Sequence, residues 1–226
     1  MKILLFVWGA CWSSFITTYG WRYLIQNHPR YRPASSICDY CHHKIHAVLL
    51  IPIVGFAVQR GKCKYCKVRI NPLWTMFEII NGIIWIKMPL MCLTDYLGFG
   101  VINGCLLLLC VQDWFDQRVH CLLFCGLLPL YWLQITPYLN VFTFMWAAIF
   151  CLGYFSQSIG NGDIDFMIII TILCGPVISI RAIGIGCVLG LLYAALSSQR
   201  KLPFIPFLSL GLMVGLIWQS MSPLPF

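Results

Sequence analysis

An all-α polytopic membrane protein is the fold class this sequence predicts, and three observations carry the prediction. The chain is 60% hydrophobic and only 10% charged, far from the balance of a soluble domain. Apolar runs of membrane-spanning length recur from end to end, continuous rather than alternating, as helices require and barrel strands do not. Nine of the fifteen Lys and Arg residues lie between Arg22 and Arg69, the asymmetry that marks a cytoplasmic loop.

The elements follow in order. Helix 1 is expected over Ile3 to Tyr19 as an uncleaved span, because no small-residue cleavage site closes it and Trp21, Arg22 and Tyr23 follow. The basic loop over 21–71 is then cytoplasmic, which places the N-terminus outside. Within it the apolar run Ala47 to Val58, broken by Pro52 and Gly55, is too short to span and reads as a packed or interfacial segment. Further helices are expected over Pro72 to Met88, Tyr96 to Gln112, Val119 to Ile135 and Tyr138 to Gln157. Three more complete the set, over Ile164 to Ile180, Ala182 to Leu196 and Leu202 to Ser220. About eight transmembrane helices result. With them, twelve basic residues fall inside and three (Lys2, Lys87, Arg181) outside, so the count agrees with the charge rule. The expected division is 1–20 as the first helix, 21–71 as a loop domain and 72–226 as a seven-helix membrane domain. A net charge of +8 would suggest nucleic acid in a soluble chain. Here it reads as topology and attraction to an anionic lipid surface, with the bilayer as partner and no nucleic acid. Gly184, Gly186 and Gly190 in the seventh helix suit close helix packing.

Cysteines divide into two groups. Nine of the thirteen lie scattered in apolar runs, where they are expected to act as small buried side chains. The other four form two C-x2-C knuckles, Cys38/Cys41 and Cys63/Cys66, at a spacing that lets four thiolates wrap a tetrahedral zinc ion. A reducing cytoplasm disfavours disulfides, and four sulfurs close the coordination shell, so the site is expected to be structural. Redox-active or unligated cysteines are the alternative. His42, His43 and His46 are expected to be ordinary polar loop residues.

Only seven acidic residues are present, and a carboxylate at the edge of an apolar segment is a functional candidate by default. Asp39 and Asp95 read as solvated. Glu78 either pairs with a loop Arg or helps a site. The remaining four form two pairs, Asp113 with Asp116 and Asp163 with Asp165, and the topology puts Asp113 and Asp163 at the same cytoplasmic face. Two carboxylates within reach of each other share a proton and can activate water and protonate a leaving group. Gly160-Asn161-Gly162 would let an extended substrate approach Asp163. Solvated aspartates at helix ends remain the competing reading.

These residues, taken together, resemble the type IV prepilin peptidases, membrane aspartic proteases of the GxGD class, and look most like the short competence-type members of Gram-positive bacteria. Ser14-Phe15 is similar to the family's G-S-F-L-N run, and Ser36-x-Cys38-x-x-Cys41 to its P-x-R-S-x-C-x-x-C, with Pro33 just upstream. Ile51-Pro52, Arg60-Gly61-Lys62-Cys63-x-x-Cys66, Ile70, Glu78, Asp113 and Gly160-x-Gly162-Asp163 follow in order. The resemblance implies a catalytic dyad of Asp113 and Asp163 and zinc on the four cysteines. It also implies a prepilin or pseudopilin substrate whose basic leader is cut at the cytoplasmic face of the bacterial cell membrane. N-methylation of the new N-terminus from S-adenosylmethionine is the family's second activity, and the loop shows no independent signature for that cofactor. Asp116 and Asp165 would help attract a basic leader. Departures from the pattern stand at Ser13, Thr17, Ser35, Val119-His120-Cys121 and Asp165, where the family commonly has Gly, Asn, Arg, I-P-D and Lys. The readings from other classes are an ion-coupled transporter or channel using paired carboxylates, and a catalytically silent zinc-loop scaffold.

Overall fold

A computed structural model describes residues 1–22, 36–38, 40–88, 92–117, 119–130, 141–156, 160–197 and 202–221. Among the described residues the fold is all-helical, apart from two isolated β-bridges. The chain divides into two compact units, Met1–Met88 and Pro89–Phe226. Expectations for Arg30, Arg32, Pro33, Ser35, Asp39, Arg118, Arg200 and Lys201 lie outside the described residues, as do the end of the fourth expected helix and the start of the fifth.

In the first unit, α1 (Lys2–Gly20) and α3 (Pro72–Lys87) pack antiparallel, with the short α2 (Val54–Val58) and a 3-10 turn (Ala47–Leu50) between them in sequence. Helix α3 begins where Asn71 accepts the Leu73 N–H at 3.0 Å and Pro72 supplies a preset φ at the first helical position. Two glycines bring the helices close. A Cβ on Gly9 would lie 2.6 Å from the Trp85 ring, and one on Gly82 would lie 2.7 Å from the Phe6 ring, the small-residue contact that membrane helices favour. Buried Asn81 donates its amide N–H to the Gly9 carbonyl at 2.7 Å. The antiparallel register puts the end of α1 and the start of α3 at the same end of the pair, and the loop between them leaves from there.

In the second unit, α4 (Leu93–Phe115) opens on a capping box in which the Asp95 carboxylate accepts the Cys92 N–H at 3.2 Å. Asp95 is therefore a helix cap and not a merely solvated residue. The fourth expected helix differs from expectation. Most of its described part is a 3-10 helix, Cys121–Leu127, which runs back along α4 with Gly126 pressed on Cys105 and Pro129 beside Gly98, and Leu130 is again α-helical. Seven residues is long for a 3-10 run, and Pro129 limits its continuation. Helices α5 (Val141–Ser156), α6 (Asn161–Leu196) and α7 (Ile205–Met221) complete the unit.

The expected sixth and seventh helices are both present and run on as α6, and the break between them falls at Gly175 rather than beside Arg181. Gly175 takes φ 79°, ψ 168°, a conformation open to glycine alone. Pro176 disfavours helical geometry in the residue before it and has no N–H to give. Beyond the kink, α6 packs antiparallel on α7 along a seam of small residues. A Cβ on Gly186 would meet the Leu208 backbone at 3.2 Å, and one on Gly211 would meet the Ala182 carbonyl oxygen at 2.2 Å. Gly190 faces Leu202 and Phe204, whereas Gly184 faces open space, so two of the three glycines do what their pattern predicted.

Among the described residues, three helices are long and apolar enough to cross a membrane: Lys2–Gly20, Leu93–Phe115 and Asn161–Leu196. Val141–Tyr154 and Ile205–Met221 are shorter apolar helices. Large apolar side chains stand exposed along them, among them Leu93, Val141, Leu191 and Leu196, as lipid-facing surfaces do. The scattered cysteines follow suit. Cys110 and Cys174 are buried as expected, but Cys11, Cys92, Cys121, Cys125, Cys151 and Cys187 are exposed.

Candidate active site and metal centre

The four loop cysteines converge. The sulfurs of Cys38, Cys41, Cys63 and Cys66 all lie within 4.8 Å of one another, and Cys38 Sγ to Cys66 Sγ is 3.8 Å. Tetrahedral zinc with Zn–S bonds of about 2.3 Å sets its sulfurs about 3.8 Å apart, so the donor set fits such an ion with little adjustment. Each knuckle is the same small turn. The Cys38 N–H donates to the His43 carbonyl at 3.0 Å and the His42 N–H to the Cys38 carbonyl at 2.9 Å. In the second knuckle, Cys63 N–H to Val68 and Lys67 N–H to Cys63 repeat those bonds at 2.8 and 3.1 Å. The bridges Ile37–Lys44 and Lys62–Arg69 close the two turns, and His42 and Lys67 both take a left-handed φ, 54° and 59°. These backbone bonds and bridges of the first knuckle recur in the second at a constant offset in sequence. The residue types carry the same repeat in part, since Cys38, Tyr40, Cys41, Lys44 and Ile45 recur as Cys63, Tyr65, Cys66, Arg69 and Ile70.

The backbone N–H groups of Cys66 and Tyr65 hold the Cys63 thiol down at about 6, so one ligand is ready as a thiolate near neutral pH. Against the Val68 N–H, which lowers it, burial and the thiols of Cys63, Cys41 and Cys38 push Cys66 up to about 11. Crowding four sulfurs is costly until a cation joins them. His43 stacks on Tyr65 with ring centroids 3.7 Å apart, and no histidine joins the metal-ligating group among the described residues.

Glu78 neither pairs with a described Arg nor stands free. It accepts the Ile53 N–H at 2.8 Å and a hydrogen bond from Ser14. Ile53 sits at φ 64°, ψ −51°, with the Val54 N–H bonded to the Pro52 carbonyl at 2.6 Å. That is a γ-turn with a positive φ on a β-branched residue, a strained arrangement. Glu78 braces it by accepting the N–H that the turn leaves over.

In the second unit the structure brings Asp113 and Asp163 within electrostatic reach of each other. Asp113 is in the last turn of α4, buried, and its Oδ2 accepts the Ile205 N–H at 3.0 Å, with a further bond from the Phe204 N–H. The opening N–H groups of α7 have no intrahelical partners, and the Asp113 carboxylate supplies one. Asp163 is in the first turn of α6, its N–H bonded to the Gly160 carbonyl at 3.0 Å. Its Oδ1 is buried with no hydrogen-bond partner. The pair therefore consists of one carboxylate held by backbone and one with an oxygen left over for something else.

Two residues beside this pair, Gln112 and Val119, pack the adjoining chain, and neither role was read from the sequence. Buried Gln112, only 2% exposed, grips His120 twice, through its amide N to the ring Nδ1 and through Oε1 to the His120 N–H at 3.2 Å. That grip holds Val119, whose side chain fills the space over Gly162. A Cβ on Gly162 would come 3.0 Å from Val119 Cγ2. Gly162 is thus small because protein packs on it, where the sequence suggested room for substrate. Gly160 is small because a Cβ there would lie 3.1 Å from Asp163 Oδ2. Asp165 does not join the pair. It accepts a hydrogen bond from the Tyr154 hydroxyl, tying α5 to α6. Asp116 is exposed at the end of α4.

The pattern of the Bacterial Peptidase A24 N-terminal domain matches residues 7–92. The chain is 24% identical over 251 residues to the Prepilin leader peptidase/N-methyltransferase of Bacillus subtilis (strain 168), covering 96% of this chain and 94% of that protein. It is 28% identical over 210 residues to the protein of the same name from Dichelobacter nodosus, covering 79% and 69%. It is 22% identical over 249 residues to the Type 4 prepilin-like proteins leader peptide-processing enzyme of Escherichia coli O78:H11, covering 93% and 91%. No solved structure matches the chain.

Proposed function

We propose, starting from a chain that is a distant homologue in the prepilin peptidase (peptidase A24) family and an aspartic-type endopeptidase, that it removes the basic leader of prepilins or competence pseudopilins. Cleavage is at the cytoplasmic face of the bacterial cell membrane, with Asp113 and Asp163 as the catalytic pair. The observation that carries the assignment is the approach of these two carboxylates, from the end of α4 and the start of α6, with one Asp163 oxygen buried and partnerless. Two such groups sharing a proton divide the work. One takes a proton from the attacking water, and the other protonates the peptide oxygen and then the leaving amine. Backbone bonds from Ile205 and Phe204 orient Asp113 for this, which is positioning and costs no reorganisation during the reaction.

The four cysteines hold zinc as a structural ion, its shell closed by sulfur. The loop over 21–71 is then a metal-stapled cytoplasmic module between the first helix and the peptidase portion over 72–226. Methyl transfer from S-adenosylmethionine is the second activity in the relatives' name, and no described residue is assigned to that cofactor. An ion pathway would use the break at Gly175. The acids stand at Asp113 and Asp163 instead, and no acidic residue neighbours Gly175 in sequence.

Purified protein incubated with a pseudopilin is expected to shorten it at the N-terminus, and Asp113→Asn or Asp163→Asn to abolish the shift while still inserting in membranes. Undiminished cleavage by either variant refutes the pair. Ion flux in proteoliposomes without cleavage would favour transport.

A further inference from the structure

Beside the second knuckle lies a cavity of about 430 Å³ walled by Leu49 and Val58 and ringed by Arg60, Lys62, Lys64 and Lys67. No acidic side chain lines it among the described residues. Neither zinc nor leader cleavage accounts for these four cations. A four-thiolate centre holding a dication carries a net charge of about −2, which leaves roughly two positive charges unneutralised. A basic leader would be repelled here, so the cavity is built for an anion.

The apolar surface next to it says which kind. Val48, Leu50, Ile51, Val54 and Val58 are exposed, Val48 at 54% and Val58 at 63%, although they belong to no spanning helix. Val58 is shared, since it walls the cavity and also stands on the ridge. Exposed aliphatic side chains beside a cluster of cations make an interfacial surface, one half for acyl chains and the other for anionic head groups. The ridge is held in shape by the braced turn at Ile53. The whole loop also leaves from one end of the antiparallel α1–α3 pair, where a membrane surface meets it once α1 spans.

We propose that this cavity and ridge bind the phosphate head group of an anionic phospholipid in the leaflet facing the loop. The cations take the phosphate, and Val54 and Val58 lie against the upper acyl chain. The site docks the zinc module on the bilayer, and does so whether or not the chain cleaves leaders.

The test uses the full chain in neutral detergent, titrated with phosphatidylglycerol or phosphatidylcholine and read by native mass spectrometry. The wild type should retain phosphatidylglycerol over phosphatidylcholine. Each cation is worth about fivefold near an anionic surface, so Lys64→Gln with Lys67→Gln should cost about 30-fold in phosphatidylglycerol affinity and leave phosphatidylcholine unchanged. Because these lysines adjoin the cysteines, bound zinc is counted alongside. If zinc is lost, Arg60→Gln alone decides instead, and it should cost about fivefold in phosphatidylglycerol affinity with phosphatidylcholine unchanged. Equal retention of the two lipids, or a preference that survives the substitutions, overturns the proposal. So does displacement of the lipid by millimolar inorganic phosphate that binds equally well alone, which would mark a free-anion site.

Discussion

At the scale of single residues, Gln112 holds the stretch of chain that follows Asp113 by gripping His120. Gln112→Leu removes both bonds to His120 and leaves the His120 N–H without its partner. A displacement on the order of 1 Å at a reacting group can cost about a hundredfold in rate. Gln112→Leu is therefore expected to lower kcat by roughly ten- to a hundredfold with little change in KM, measured on a fluorogenic leader peptide. A change in KM alone would place Gln112 in substrate binding. Glu78→Ala should act elsewhere, on stability. It strips the acceptor from the Ile53 N–H in a strained turn and should destabilise the first unit by about 1–3 kcal/mol, read as a lower Tm in detergent. Ile53→Gly, which adopts that φ without strain, should recover part of the loss in the Glu78→Ala background. The convergence of the four cysteines was legible in the sequence because it is a matter of residue type and spacing, and the same reading singled out Asp113 and Asp163 as candidates. Gln112 was not, since a glutamine in an apolar run announces nothing until the chain folds back and sets His120 beside it.

At the scale of elements, spacing predicted helices well and their breaks poorly. Continuous apolar character marks a helix, but Arg181 looked like a boundary and is an interior residue, while Gly175-Pro176 passed as part of a run and is the kink. Local backbone chemistry decided there, and charge did not. The start of the expected fourth helix differs for the same kind of reason, because hydropathy does not distinguish an α-helix from a 3-10 run laid against α4. The seam between α6 and α7 gives this scale its prediction. Gly211→Val would place carbon within 2.2 Å of the Ala182 carbonyl oxygen and is expected to cost about 3 kcal/mol through overpacking. Since α7 begins with the N–H that holds Asp113, activity should fall along with Tm. Gly184→Ala, facing open space, should change neither.

At the scale of the whole molecule, the four-cysteine cluster lies in the first unit and the aspartate pair in the second. The loop has few buried apolar residues among those described, so on the proposed reading metal ligation would supply what a small core does not. Chelation, or Cys63→Ser, is expected to release one zinc per chain, checked by metal analysis, and to open residues 36–70 to limited proteolysis. Fragments from 93 onward should persist unchanged.

The contact of Val119 with Gly162 also bears on how such a chain can vary. The space over Gly162 belongs to two positions at once, so neither can change size alone: a methyl at 162 crowds Val119 Cγ2 at 3.0 Å. Gly162→Ala should therefore impair the enzyme singly and be rescued in part when Val119 is trimmed to Ala, a compensating pair bridging two stretches of chain that hydropathy alone would treat as independent.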